Sequence, residues 1–175
     1  MPWIAKNISS GVFAGTGSGS GKPADTSTIK YITATDAILS AYKTLEHEME
    51  ADAQPGAILI ADDGTPSKPA ETRPLLSVTA NKADVEAAVT LSAATAANLV
   101  TFTVSLLNED ETVNTGFDGE MLFRLPFAGK VLIVKGVFSA GVATRGLAFE
   151  NTGDLEIASN ETFRVLAPLS LTVWQ

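Results

Sequence analysis

From residue 75 to the C-terminus, short apolar stretches recur with Gly, Asn, Asp or Pro between them, the rhythm of an all-β sandwich or barrel. Val100, Phe102, Val104 and Leu106 alternate with Thr101, Thr103 and Ser105, which predicts a half-buried strand over residues 99–107. Met121, Phe123 and Leu125 alternate with Glu120 and Arg124, and Pro126 is expected to stop that strand. Further strands are expected at residues 144–149, 155–158, 163–166 and 169–174, the last alternating Leu169, Leu171 and Val173 against Ser170 and Thr172. Residues 85–91 fit either a strand or, through their alanines, a helix. The run from Gly129 to Phe138 differs from these. Val131, Leu132, Ile133 and Val134 are consecutive apolar residues bracketed by Lys130 and Lys135, a pattern that predicts a central strand covered on both faces, with Ile133 in the interior.

Upstream the period changes. Ile38, Tyr42, Leu45 and Met49 recur at helical spacing while Lys43, Glu46, His47 and Glu50 fall elsewhere, so an amphipathic helix is expected over residues 36–50. Thr33 or Thr35 is available as its N-cap, and Gln54-Pro55-Gly56 ends it. A short strand is expected at residues 57–61, then a turn at Asp62-Asp63-Gly64-Thr65. Pro66, Pro69 and Pro74 predict an irregular or polyproline-like connection over residues 65–74, a hinge before the main β region.

Residues 1–30 are rich in Gly and Ser and offer little to bury. Trp3, Ile4, Ile8, Val12 and Phe13 stand at intervals along that stem. They are expected to be partner-binding anchors on an extended arm. The organisation read from the sequence is therefore an arm over residues 1–30, a helix, short strand and Pro-rich connection over 31–74, and a C-terminal sandwich over 75–175.

Composition narrows the function classes. The chain has 175 residues, enough for one real core without covalent staples. It has no cysteine, which removes disulfides, thiolate metal sites and cysteine nucleophiles. With 12 Lys and Arg against 20 Asp and Glu, net −8, and no basic run, a phosphate-tracking nucleic-acid surface is not expected. No apolar run approaches the length of a membrane span, and the first residues lack a charged segment followed by an apolar core, so neither a membrane segment nor a signal peptide is expected.

The motifs that could carry chemistry fall short of it. Gly21-Lys22 resembles the end of a phosphate loop, but Thr16 stands where its first glycine belongs and Pro23 replaces the Mg²⁺-binding hydroxyl. His47 is the sole histidine, between Glu46 and Glu48 on the polar side of the helix, with no nucleophile elbow to pair with it. Zinc would need mostly carboxylates, and Glu109-Asp110-Glu111 lacks the spacing and central glycine of a calcium loop. Asp62, Asp63 and Asp118 sit beside turn glycines, where aspartate serves the backbone. Asn7-Ile8-Ser9 and Asn160-Glu161-Thr162 match the glycosylation triplet, which matters only in a secreted protein. Trp3 and Trp174, near opposite ends, suit the cap of a core or an interface. No catalytic residue, cofactor or metal is assigned.

The expected fold is mainly β: an antiparallel β-sandwich, Ig-like or jelly-roll-like, with an extended N-terminal arm and one amphipathic helix. The Gly/Ser-rich arm, the Gln54-Pro55-Gly56-Ala57-Ile58-Leu59-Ile60 turn and strand, and the acidic Ala/Thr/Val-rich segment 89–107 resemble virion structural proteins of tailed bacteriophages, most of all capsid decoration or cement proteins. The resemblance lies in layout and covers most of the chain. It implies a non-enzyme that binds across coat subunits and stabilises the capsid, with the major capsid protein or other virion subunits as partners, and with homo-oligomers, trimers among them. It also implies a virion location after synthesis in the host cytoplasm. The competing reading is a receptor- or carbohydrate-binding β-sandwich module of a phage tail, fibre or cell surface.

Overall fold

The structure, a computed structural model, describes residues 1–175, and the chain divides into two compact units, Met1–Thr72 and Arg73–Gln175. It is mainly β with one helix, as the sequence predicts.

In the first unit, strands β1 (Pro2–Asn7), β2 (Phe13–Ser18) and β3 (Ile29–Thr33) form an antiparallel sheet in the order β2-β1-β3. Helix α1 (Asp36–Ala51) follows, and the Thr35 hydroxyl accepts a hydrogen bond from the Ile38 amide at 3.2 Å, so of the two threonines Thr35 is the N-cap. Strands β4 (Leu59–Ile60) and β5 (Pro66–Ser67) close a small hairpin, with Gly64 at φ +92° in its turn. Pro66 thus belongs to a strand pair rather than to an irregular connection. Ile4, Ala34, Met49, Ile58 and Ile60 form the core of this unit, and Ile38, Leu39, Tyr42 and Leu45 of the helix pack against it.

The expectation of an extended arm over residues 1–30 is corrected here. β1 is the middle strand of its sheet and is hydrogen-bonded on both sides, and Ile4 is 0% exposed inside the unit's own core. The physical reason lies in the ladder and the burial together. Ordering Gly and Ser costs backbone entropy, which paired amides and a buried isoleucine offset within the same unit, with no partner required.

The second unit contains β6 (Leu75–Ala80), β7 (Asp84–Glu86), β8 (Val100–Leu107), β9 (Gly119–Phe127), β10 (Lys130–Phe138), β11 (Val142–Leu147), β12 (Gly153–Ile157), β13 (Arg164–Val165) and β14 (Leu169–Trp174). They make sheets of order β11-β8-β6-β13, β10-β9 and β12-β14-β7. Most pairs are antiparallel, while β6–β13 and β7–β14 run parallel. One core joins the sheets. It takes Leu76, Val100 and Phe102 from the first, Phe123, Leu125 and Phe138 from the second, and Leu155, Leu171 and Val173 from the third.

Residues 85–91 resolve to the short strand β7 followed by irregular chain, with a single 3-10 turn at Leu91–Ala93. Arg73, the buried charged residue of the unit, donates from Nη1 to the Asn160 carbonyl at 2.7 Å.

Two strand expectations are corrected. β9 runs through Pro126, which pairs opposite Val131. Proline is tolerated there because alternate residues of an antiparallel strand aim their backbone groups to opposite sides, and Pro126 falls on the set pointing away from β10. The run from Gly129 to Phe138 is a strand, but it is neither central nor covered on both faces: β10 pairs with β9 alone, and its outer face meets solvent.

Candidate interaction surface

Ala128 and Gly129 join β9 to β10 with φ of 49° and 73°. Two positive φ values in a two-residue loop make a type I′ turn, whose twist matches that of the flanking strands and sets an uninterrupted register from Lys130↔Phe127 to Phe138↔Gly119. Because directly opposed residues share a face, the register divides the hairpin cleanly. Phe123, Leu125, Phe127, Leu132, Val134 and Phe138 face the core. The other face carries Glu120, Leu122, Arg124 and Pro126 from β9, and Val131, Ile133, Lys135 and Val137 from β10.

That outer face is apolar and open. Leu122 is 68% exposed, Val131 61%, Ile133 67% and Val137 63%. Single exposed apolar residues are ordinary on a protein surface, whereas four on one two-stranded face are a concentration of the kind found at interaction sites. Lys135 Nζ pairs with Glu120 Oε1 at 2.6 Å on the same face, with Lys135 opposite Leu122 and Arg124 opposite Ile133, so charged side chains are interleaved with the apolar ones.

The residues expected to anchor a partner are placed differently. Trp3 lies on β1 with its ring 5.2 Å from that of Tyr31, edge to face. Ile4 has no surface left to offer. Val12 bridges to Leu59, and the Phe13 ring lies 4.2 Å from that of Tyr42 on the helix. Ile8, 51% exposed, is the one of the five that faces solvent. The anchors therefore build the first unit rather than gather at one site, and they are corrected as a partner surface on that ground.

Other candidates divide into structural pairs. Asp62 accepts from Lys30 at 2.8 Å and lies 2.9 Å from Lys6 Nζ, and these two lysines hold its carboxyl down to about 2. Asp63 and Asp110 take the backbone amides two residues on, Thr65 and Thr112, so both act as turn formers. Glu109 pairs with Arg164 at 2.7 Å. The Tyr42 hydroxyl donates to Glu46 at 3.0 Å, and burial with that carboxylate pushes its pKa up to about 12. His47 is exposed on the helix. In the second unit a shallow cleft of about 560 Å³ runs beside Arg124, Asp154, Glu156 and Glu161, where Asp154 is engaged by the Thr172 hydroxyl at 2.8 Å.

The sequence reading missed the β9–β10 face because four consecutive apolar residues satisfy two environments equally. A buried central strand and an amphipathic hairpin with one docking face write the same run. The available signal was Lys135, which shares the parity of Val131, Ile133 and Val137 and so marks that side as reaching solvent. Compared with known proteins, the chain matches no family model, no curated protein and no solved structure.

Proposed function

We propose that the chain is a non-catalytic virion structural protein that decorates a bacteriophage capsid and stabilises it by binding across coat subunits. The observation that carries this reading is the solvent-facing apolar patch of the β9–β10 hairpin, Leu122, Val131, Ile133 and Val137. The patch sits on a rigid two-stranded scaffold whose opposite face is fixed in a core, which makes it an interaction surface in search of a protein partner. Arg124, Lys135 and Glu120, interleaved with the apolar residues, supply polar groups that a protein partner can pair with across the same face. The resemblance in layout to decoration proteins implies a coat subunit of the capsid as partner and a virion location after synthesis in the host cytoplasm.

The test is co-sedimentation of the purified protein with capsids that lack it. Wild type is expected to pellet with the shells, and Leu122→Asp with Val137→Asp is expected to stay in the supernatant while remaining folded by circular dichroism. Binding that survives this double change overturns the assignment of the face. Retention on glycans or host cells, with no retention on capsids, would instead favour a receptor-binding module.

A further inference from the structure

We infer that the second unit holds a binding site for a short linear aliphatic carboxylate, with its tail in an apolar cavity between the β9–β10 hairpin and the β11-β8-β6-β13 sheet and its carboxylate on Arg145. The site lies behind the hairpin, on the face opposite Leu122 and Ile133, so it is independent of the proposed docking surface.

The cavity exists because two consecutive strands part. β10 and β11 are joined through the Ala140-Gly141 turn and bridged at Ser139 and Val142, which exchange backbone hydrogen bonds of 2.9 and 3.1 Å. Beyond that bridge β10 pairs with β9 and β11 with β8, which leaves a wedge between the two strands. Val134 of β10 and Ala143 and Leu147 of β11 line a cavity of about 40 Å³ there, over a floor that includes the buried Leu76, Phe102 and Phe163. Val134 and Leu147 are only partly buried, so the cavity grades from a closed floor to an accessible mouth. At roughly 10–15 Å³ for each water-sized sphere it has room for about three, or for a tail of about three or four carbons. Hydrocarbon walls give water no hydrogen-bond partner, so an apolar guest is favoured over water.

Arg145 gives the site its charge. It opposes Phe102 in the β11–β8 register, so its side chain leaves the strand on the core side of the sheet, and it lines the cavity while remaining exposed. An arginine so placed lays its alkyl stem along the apolar wall and keeps its guanidinium in water at the mouth. Arg73 is engaged by the Asn160 carbonyl and Arg164 by Glu109, both at 2.7 Å, whereas the Arg145 guanidinium has neither an ion pair nor a hydrogen bond in a chain of net charge −8. An inward-pointing charge can also guard an edge strand such as β11 against pairing. Apolar walls beside one unpaired cation go further and make a site for an amphiphilic anion, because the planar guanidinium receives a carboxylate through two parallel hydrogen bonds. The cavity volume then limits the tail to a short one.

The experiment titrates the full isotope-labelled chain with acetate, butanoate, hexanoate and octanoate at constant ionic strength, and separately with hexanol, following amide NMR shifts. Hexanoate is expected to move the amides of Val134, Ala143 and Leu147, and affinity should rise about fourfold per added methylene, then level off by hexanoate as the cavity fills. Arg145→Gln should weaken hexanoate about threefold to fivefold, the reach of an exposed ion pair, and leave hexanol unchanged. Val134→Phe fills the cavity from the β10 side and should abolish both; if that variant fails to fold, the contrast between hexanoate and hexanol in Arg145→Gln decides the matter. Affinity that stays flat from acetate to octanoate overturns the inference, since it reduces the site to surface ion pairing. Equal losses of hexanoate and hexanol in Arg145→Gln overturn the role of the guanidinium. No shift at the three amides overturns the cavity as a binding site and leaves Arg145 as a guard of the β11 edge.

Discussion

Gly17 lies under the indole of Trp3: the two are paired across β1 and β2, and a Cβ at position 17 would come within 2.7 Å of the ring's Cε2. The ring is held on its other side by Tyr31 at 5.2 Å, so it cannot swing away freely. The glycine is therefore a seat for the tryptophan, and the Gly/Ser-rich composition of residues 13–18 is part of a packed surface.

Gly17→Val is expected to destabilise the first unit by about 1–3 kcal/mol, the usual cost of forcing volume into a packed site. Urea denaturation followed by tryptophan fluorescence would read it. An unchanged midpoint would show that the indole has another resting place.

Deleting residues 1–30 removes the middle strand of a sheet together with the wholly buried Ile4. The expected outcome is loss of the α1 signal at 222 nm, because Met49, Leu45 and Ile38 lose the surface they pack on. A truncated chain with full helical signal would return these residues to the role of a removable arm.

Ile133→Asp should change stability by no more than about 0.5 kcal/mol at dilute protein concentration, since the side chain is already in water. Val100→Asp, at a position with 0% exposure, buries an unpaired charge and should cost several kcal/mol, comparable with the whole stability of a domain. Equal melting temperatures for the two variants would show that the outer face of β10 is covered.

Asp62 has its pKa lowered to about 2 by Lys30 and Lys6. A carboxyl depressed below its unfolded value contributes stability that is present above pH 4 or so and is lost as pH falls through about 2. The group is exposed, so the effect on folding is small and is best read directly. Carboxyl carbon NMR should give a midpoint near 2 for Asp62 in wild type and an upward shift in Lys30→Ala. A midpoint near the ordinary aspartate value would remove the lysine pair.

The mainly β class, the helix with its cap and the alternation of β8, β9 and β14 were written in local pattern. Such patterns depend on neighbours within one or two turns or on parity along one strand, so Thr35, Ile38 and Val100 could be placed without knowing what they touch. What the sequence could not decide was which strands find partners. The Gly/Ser stretch before residue 30 is flexible by composition, and only the ladder between β2 and β3 makes β1 the centre of a sheet and sends Ile4 inside. The run Val131-Leu132-Ile133-Val134 is apolar at every position, and only the pairing of β10 with β9 alone determines that Leu132 and Val134 face a core while Val131 and Ile133 face water. A residue's hydrophobicity is local, whereas its burial depends on long-range strand pairing, and that pairing is what the tertiary structure supplied.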